Sequence, residues 1–216
     1  MDAASAAPVR QLPATVRGAR TRAALVAAAR KVFERDGYLD AKLTDIAKVA
    51  GCATGSFYTY FTNKEEIFAA VLDQAQQDMM HPGMGRVRGS DDPFAALQAS
   101  NRAYLEAYRR NAKLMGLLEQ VAQVDPKFRA FRARRAQAFI QRNAAGIADL
   151  QERGIAAADV DPLLASQALS GMVSRLAYGI FVGGEASDDS GPDFETVVDT
   201  VTRLWANALQ FRSANN

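Results

Sequence analysis

Residues 43–64 read LTDIAKVAGCATGSFYTYFTNK, and the fold follows from how this stretch divides. Thr44 is suited to cap a helix in which Ile46, Val49 and Ala50 recur at helical spacing, before Gly51 breaks the run. A second short helix then opens near Ala53 or Thr54, with Phe57 and Phe61 at the i, i+4 spacing of a face packed on a core. Its other face carries Thr54, Gly55, Ser56, Tyr58, Thr59 and Tyr60. Small residues at the start of a helix let its backbone approach a surface, and hydroxyls and aromatic rings offer phosphate and base-edge contacts. The pattern predicts a helix-turn-helix whose second helix faces DNA.

The flanks support that reading. From Thr21 to Asp36, the positions Leu25, Ala28, Ala29, Val32 and Phe33 form one apolar helical stripe, and Gly37 supplies a C-terminal stop. On the other side, Thr62 or Asn63 is placed to cap a helix whose first turn holds Glu65 and Glu66. Lys64 then stands at a helix entrance, where an ammonium group reaches phosphate. Residues 1–18 are rich in Ala and Pro without periodicity and read as a flexible basic arm, with Arg10, Arg17, Arg20 and Arg22 ahead of the first helix.

Charge follows the same division. Residues 1–64 carry 10 Lys or Arg against 5 Asp or Glu, whereas the remainder carries 16 against 19. A basic end on a slightly acidic body is the asymmetry expected when one end meets a polyanion.

The run from Thr21 to Leu72 resembles the DNA-binding domain of the TetR family of bacterial transcriptional regulators. The resemblance rests on Gly37-Tyr38, on Thr44 with Ile46-Ala47, on Gly51, on Phe57-Tyr58 followed by Tyr60-Phe61, and on Asn63-Lys64-Glu65. It departs at Cys52, where a larger aliphatic residue is more usual. The resemblance implies that Thr54, Gly55, Ser56, Tyr58 and Tyr60 face the major groove or its phosphates, that Thr44 and Lys64 touch the DNA backbone, and that Phe57 and Phe61 are core. Thr59 on the same face and Arg20 ahead of it complete the expected contact set.

Beyond a Gly-rich stretch at 81–90, the chain is periodic and helical throughout. Asp92-Pro93, Asp125-Pro126 and Asp161-Pro162 each place an N-cap before a proline suited to the first helical position, and Gly191-Pro192-Asp193 opens a further helix. The spacing predicts helices at 93–110, 112–124, 126–153, 162–182 and 193–212, with Gly154 ending the long one. The expected organisation is all-α: the arm at 1–18, a three-helix DNA-binding domain at 19–66, and a larger helical ligand-binding and dimerisation domain at 67–216.

Val197, Val201, Leu204 and Trp205 on the last helix, with Met172 and Leu176 on the one before, form apolar stripes suited to a core or to a second copy of the chain. The resemblance implies that these two helices from each subunit pack as a four-helix bundle. Tyr104, Tyr108, Met115, Leu118, Phe139 and Met172 offer apolar surface for an unidentified small hydrophobic effector. Glu119 and Arg175 are polar residues at otherwise apolar positions, which need partners inside the protein or on such a ligand. The basic run Lys127, Arg129, Arg132, Arg134, Arg135 and Arg142 reads as a solvated helix face, or as a seat for anionic groups such as the phosphates of an acyl-CoA.

Other chemistries find little support. The single cysteine and single histidine, with no metal-ligand spacing, no phosphate loop and no paired His and carboxylate, argue against an enzyme or a metal site, and no cofactor is expected. One cysteine also precludes an intramolecular disulfide. The apolar stretch 163–182 is interrupted by Ser166, Gln167, Ser170, Ser174 and Arg175, which disfavours a membrane span. The expectation is a cytoplasmic homodimer on a palindromic double-stranded DNA operator, repressing by family default. Activation by the same fold, or a helical interaction protein without DNA binding, is the alternative.

Overall fold

A computed structural model of the chain describes residues 15–80, 92–183 and 191–211, and every regular element among them is an α-helix. Residues 1–14, with Arg10 of the expected arm, and 81–91, with His81 and the Gly-rich stretch, lie outside the described residues. The chain divides into two compact units after Asp73.

The first unit opens with α1 (Val16–Asp40). Thr15 caps it by accepting a hydrogen bond from the Gly18 N–H at 3.1 Å. Helix therefore starts inside the segment 1–18 expected to be flexible, and Arg17, Arg20 and Arg22 are helical rather than part of an arm. The helical backbone breaks at Gly37, whose φ of +79° lies in the left-handed region open to glycine. Leu25, Ala29, Val32 and Phe33 are fully buried. Fully burying side chains of the larger kinds contributes about 1.5–3 kcal/mol each.

Next comes α2 (Leu43–Val49), whose N-cap is Lys42 and not Thr44. Lys42 makes no side-chain cap bond, and Thr44 is exposed within the first turn. The backbone entering α2 is secured from elsewhere: the Lys64 ammonium donates to the carbonyls of Leu39, at 2.8 Å, and Ala41, at 3.3 Å. After α3 (Thr54–Tyr60), Asn63 Oδ1 accepts from the Glu66 N–H at 2.9 Å, while the Glu66 carboxylate accepts from the Thr62 N–H and hydroxyl. This reciprocal capping starts α4 (Lys64–Met80). That helix runs unbroken through position 66, so the expected domain boundary falls inside a continuous element.

The second unit contains α5 (Pro93–Arg110), α6 (Ala112–Val124), α7 (Pro126–Glu152), α8 (Pro162–Phe181) and α9 (Phe194–Ala208). The aspartate caps form as the sequence pattern predicts. Asp92 accepts from the Phe94 N–H at 2.9 Å, Asp125 from Lys127 at 2.8 Å, Asp161 from Leu164 at 2.7 Å and Asp193 from Thr196 at 3.1 Å. Helix α7 packs chiefly on α6 and α8, and α5 on α9. Between α5 and α9, Asn101 Nδ2 donates to Thr202 Oγ1 at 3.1 Å, and both side chains are buried.

Candidate nucleic-acid interface and ligand cavity

The turn between α2 and α3 closes by backbone hydrogen bonds. Gly51 N–H donates to the Lys48 carbonyl at 3.1 Å and Cys52 N–H to that of Ala47 at 3.0 Å, with Gly51 at φ +68°. This geometry hands the chain directly to α3, whose two faces then separate by burial. Phe57 and Phe61 are 0% exposed and sit 5.8 Å apart in the core. Thr54, Gly55, Tyr58 and Thr59 are exposed, Ser56 and Tyr60 half-buried. At Gly55 a Cβ would meet nothing within 4 Å, so internal packing does not demand a glycine there. The missing side chain instead leaves bare backbone on the outer face.

Arg20 of α1 and Thr44 of α2 are also exposed. The guanidinium of Arg22 lies 5.0 Å from the centroid of the Phe61 ring, so this arginine is attached to the same core that positions α3. Lys64, expected at phosphate, is engaged internally through its two carbonyl acceptors and lies 5.1 Å from the Tyr38 ring centroid. An ammonium group has three donors. Its two protein bonds make Lys64 a structural tie first.

The second unit holds a cavity of about 1050 Å³. Tyr104, Tyr108, Glu119, Phe139 and Arg175 line it, as the sequence pattern anticipates. Met115 and Leu118 do not: they are 2% and 1% exposed, on the face of α6 turned into the core. Gly116 between them lets α8's end approach, since a Cβ there would lie 2.8 Å from Val182 Cγ1. Met172 is half-buried outside the cavity lining.

Further lining residues stand outside the expected effector set. Trp205, assigned from its stripe to a dimer surface, is 6% exposed and lines the cavity. Arg135 and Arg142, from the basic run expected either on a solvated face or as a seat for anionic groups, line it from α7. They are seven residues apart, which is two helical turns, and Phe139 stands between them on the same face. The guanidiniums lie 5.4 and 5.5 Å from the Phe139 ring centroid, and the Tyr104 ring meets Phe139 edge-on at 5.5 Å. Burial pushes the Tyr104 phenol above its ordinary value, against the nearby positive charges of Arg135 and Arg142. Burial also pulls the Arg142 guanidinium down. The spacing that could have revealed these two arginines is their i, i+4, i+7 register with Phe139.

Val197 and Val201, also expected at a dimer surface, are 5% and 0% exposed in the single chain because that side of α9 packs on α5. Leu176 and Leu204 are 38% and 46% exposed. Among the described residues, no cluster of metal-ligating side chains occurs and no helix is long and apolar enough to cross a membrane.

A helix-turn-helix in the first unit and a cavity among the helices of the second are the arrangement of a one-component DNA-binding regulator of the all-α class. Residues 25–71 match the family model for bacterial regulatory proteins of the tetR family, and residues 97–210 match that for the C-terminal domain of the transcriptional regulator EthR. The chain belongs to the TetR family of DNA-binding transcriptional regulators. It is 24% identical over 188 residues to the HTH-type transcriptional regulator EthR of Mycolicibacterium smegmatis, covering 87% of this chain and 85% of that protein. The fold matches the fatty acid degradation regulator FadR of Bacillus halodurans with a TM-score of 0.72 at 20% identity, over 89% of this chain and 97% of that one. It also matches AibR, solved with isovaleryl coenzyme A and operator DNA, with a TM-score of 0.60 at 20% identity, over 86% and 97% of the respective chains.

Proposed function

We propose that this regulator acts in the cytoplasm as a homodimeric repressor, which binds a palindromic operator through α3 and leaves it when a small molecule occupies the second-unit cavity. The observation that carries the reading is the partition of α3, with Phe57 and Phe61 wholly buried while Thr54, Gly55, Tyr58 and Thr59 face outward. In a dimer reading two half-sites, the recognition helices stand about 34 Å apart to enter successive major grooves. The exposed apolar residues Leu164 and Leu176 of α8 and Leu204 of α9 are the surface available to a second copy. AibR, solved in complex with isovaleryl coenzyme A and operator DNA, supports the pairing of a small-molecule ligand with DNA binding in this fold. Release then rests on a ligand whose affinity differs between the DNA-competent conformation and another.

The test is binding of the full chain to DNA from upstream of its own gene. The expected result is a specific complex of two chains per site, whose affinity falls steeply with salt as phosphate contacts release counterions. Tyr58→Ala should lower operator affinity by about 1–3 kcal/mol while leaving thermal stability and self-association unchanged. Equal affinity for upstream and random DNA would overturn the operator reading.

A further inference from the structure

The cavity lining is not electrically balanced among the described residues. It includes four arginines, Arg135, Arg142, Arg153 and Arg175, against the two acids Glu119 and Asp149. Both acids are already matched: Glu119 accepts from Arg132 at 2.6 Å and Asp149 from Arg153 at 3.1 Å. Arg135 and Arg142 form no ion pair among the described residues. Arg135 donates one N–H to the thioether of Met79 at 2.9 Å, a weak acceptor, and Arg142 donates to the Met80 carbonyl and to Asn143 Oδ1. These acceptors are neutral. Two further donors lack a partner among the described residues: Arg135 Nε and Trp205 Nε1 are buried and unbonded, and Trp205 is only 6% exposed. Buried polar groups are ordinarily satisfied, and buried charges ordinarily compensated.

Resting on the effector reading above, we propose that the cavity takes a monoanionic amphipathic molecule, a carboxylate on an apolar body, with the carboxylate held by Arg135 and Arg142. A guanidinium matches a carboxylate by two parallel N–H bonds, and the ion supplies the missing countercharge. Tyr104, Tyr108, Phe139 and Trp205 provide aromatic surface for the apolar body, and Trp205 Nε1 is a donor for a second oxygen on it. A coenzyme A thioester lacks the carboxylate that the two guanidiniums flanking Phe139 would hold, so the free acid is preferred over it.

The experiment is calorimetric titration of the full-length protein with decanoate, decanol and decanoyl-coenzyme A, and with 4-phenylbutyrate and 4-phenylbutanol as an aromatic pair. The expected result is that a carboxylate binds more tightly than its alcohol by about tenfold or more. Arg142→Gln and Arg135→Gln should each remove that preference while alcohol binding persists, which shows the cavity intact. Arg142→Lys should retain part of it. Equal binding of acid and alcohol overturns the anion assignment and leaves the cavity reading standing. Tighter binding of the coenzyme A thioester than of decanoate overturns the monoanion assignment. Absence of binding by all five molecules overturns both the assignment and the effector reading beneath it.

Discussion

Lys64 donates its ammonium to the carbonyl of Leu39 across 2.8 Å, tying the first turn of α4 to the corner between α1 and α2. A second bond to Ala41 at 3.3 Å makes this lysine the support of the backbone that enters the helix-turn-helix. Lys64→Ala should therefore lower folding stability by about 1.5–3 kcal/mol, the range for a hydrogen bond with a charged partner. Urea denaturation checks this, and it separates Lys64 from Tyr58, whose replacement should leave the midpoint unchanged. An unaltered midpoint for Lys64→Ala would return Lys64 to a purely DNA-contacting role.

The buried pair between α5 and α9 makes a non-additive prediction. Thr202→Val leaves Asn101 Nδ2 without its 3.1 Å acceptor, and an unsatisfied buried donor costs about 1–3 kcal/mol. Asn101→Leu in the same chain removes the stranded amide, so the double variant should recover part of the loss. A double-mutant cycle from denaturant melts reads the coupling, and strict additivity would mean that the bond contributes nothing.

At Gly116 the second unit is closed so tightly that a methyl group would lie 2.8 Å from Val182 Cγ1. Gly116→Ala is expected to destabilise the protein by about 1–3 kcal/mol through overpacking. Val182→Ala added to it should restore much of the melting temperature. If Gly116→Ala instead raised the melting temperature, α6 would have slack at this point.

The two faces of α9 should respond differently. Leu204 is 46% exposed in the single chain, so Leu204→Glu should convert a dimer to a monomer, measured by light scattering, with a folding cost of about 0.5 kcal/mol or less. Val201 is 0% exposed against α5, and Val201→Ala should lower stability by about 1–3 kcal/mol with the dimer retained. The reverse pattern would place the α9 dimer contact on the wrong side.

Much of the fold was legible because its signals are local. Each Asp-Pro pair marks a helix start through a hydrogen bond that spans two or three residues, as Asp92 to Phe94 and Asp161 to Leu164 do. Gly37, Gly51 and Gly154 mark stops because each adopts the left-handed backbone there. Where a start depends on distant groups, the reading failed: Thr44 looked like a cap, but the entry to α2 is secured by Lys64, more than 20 residues along the chain. Thr15, a local cap, was passed over because its surroundings lack an apolar repeat.

The sequence by itself determined the all-α class, the helix-turn-helix and the division of α3 into a buried and an exposed face, since helical periodicity assigns faces within one element. Only the tertiary structure decided what each apolar or basic stripe packs against. Val201 and Trp205 turned inward, Met115 and Leu118 were sealed into the core, and Arg135 and Arg142, whose run allowed either solvent or an anion seat, came to flank Phe139 in the cavity lining. A stripe records that a face must be buried or charged; which neighbour covers it depends on contacts between helices far apart in the chain, and periodicity within one helix carries no information about them.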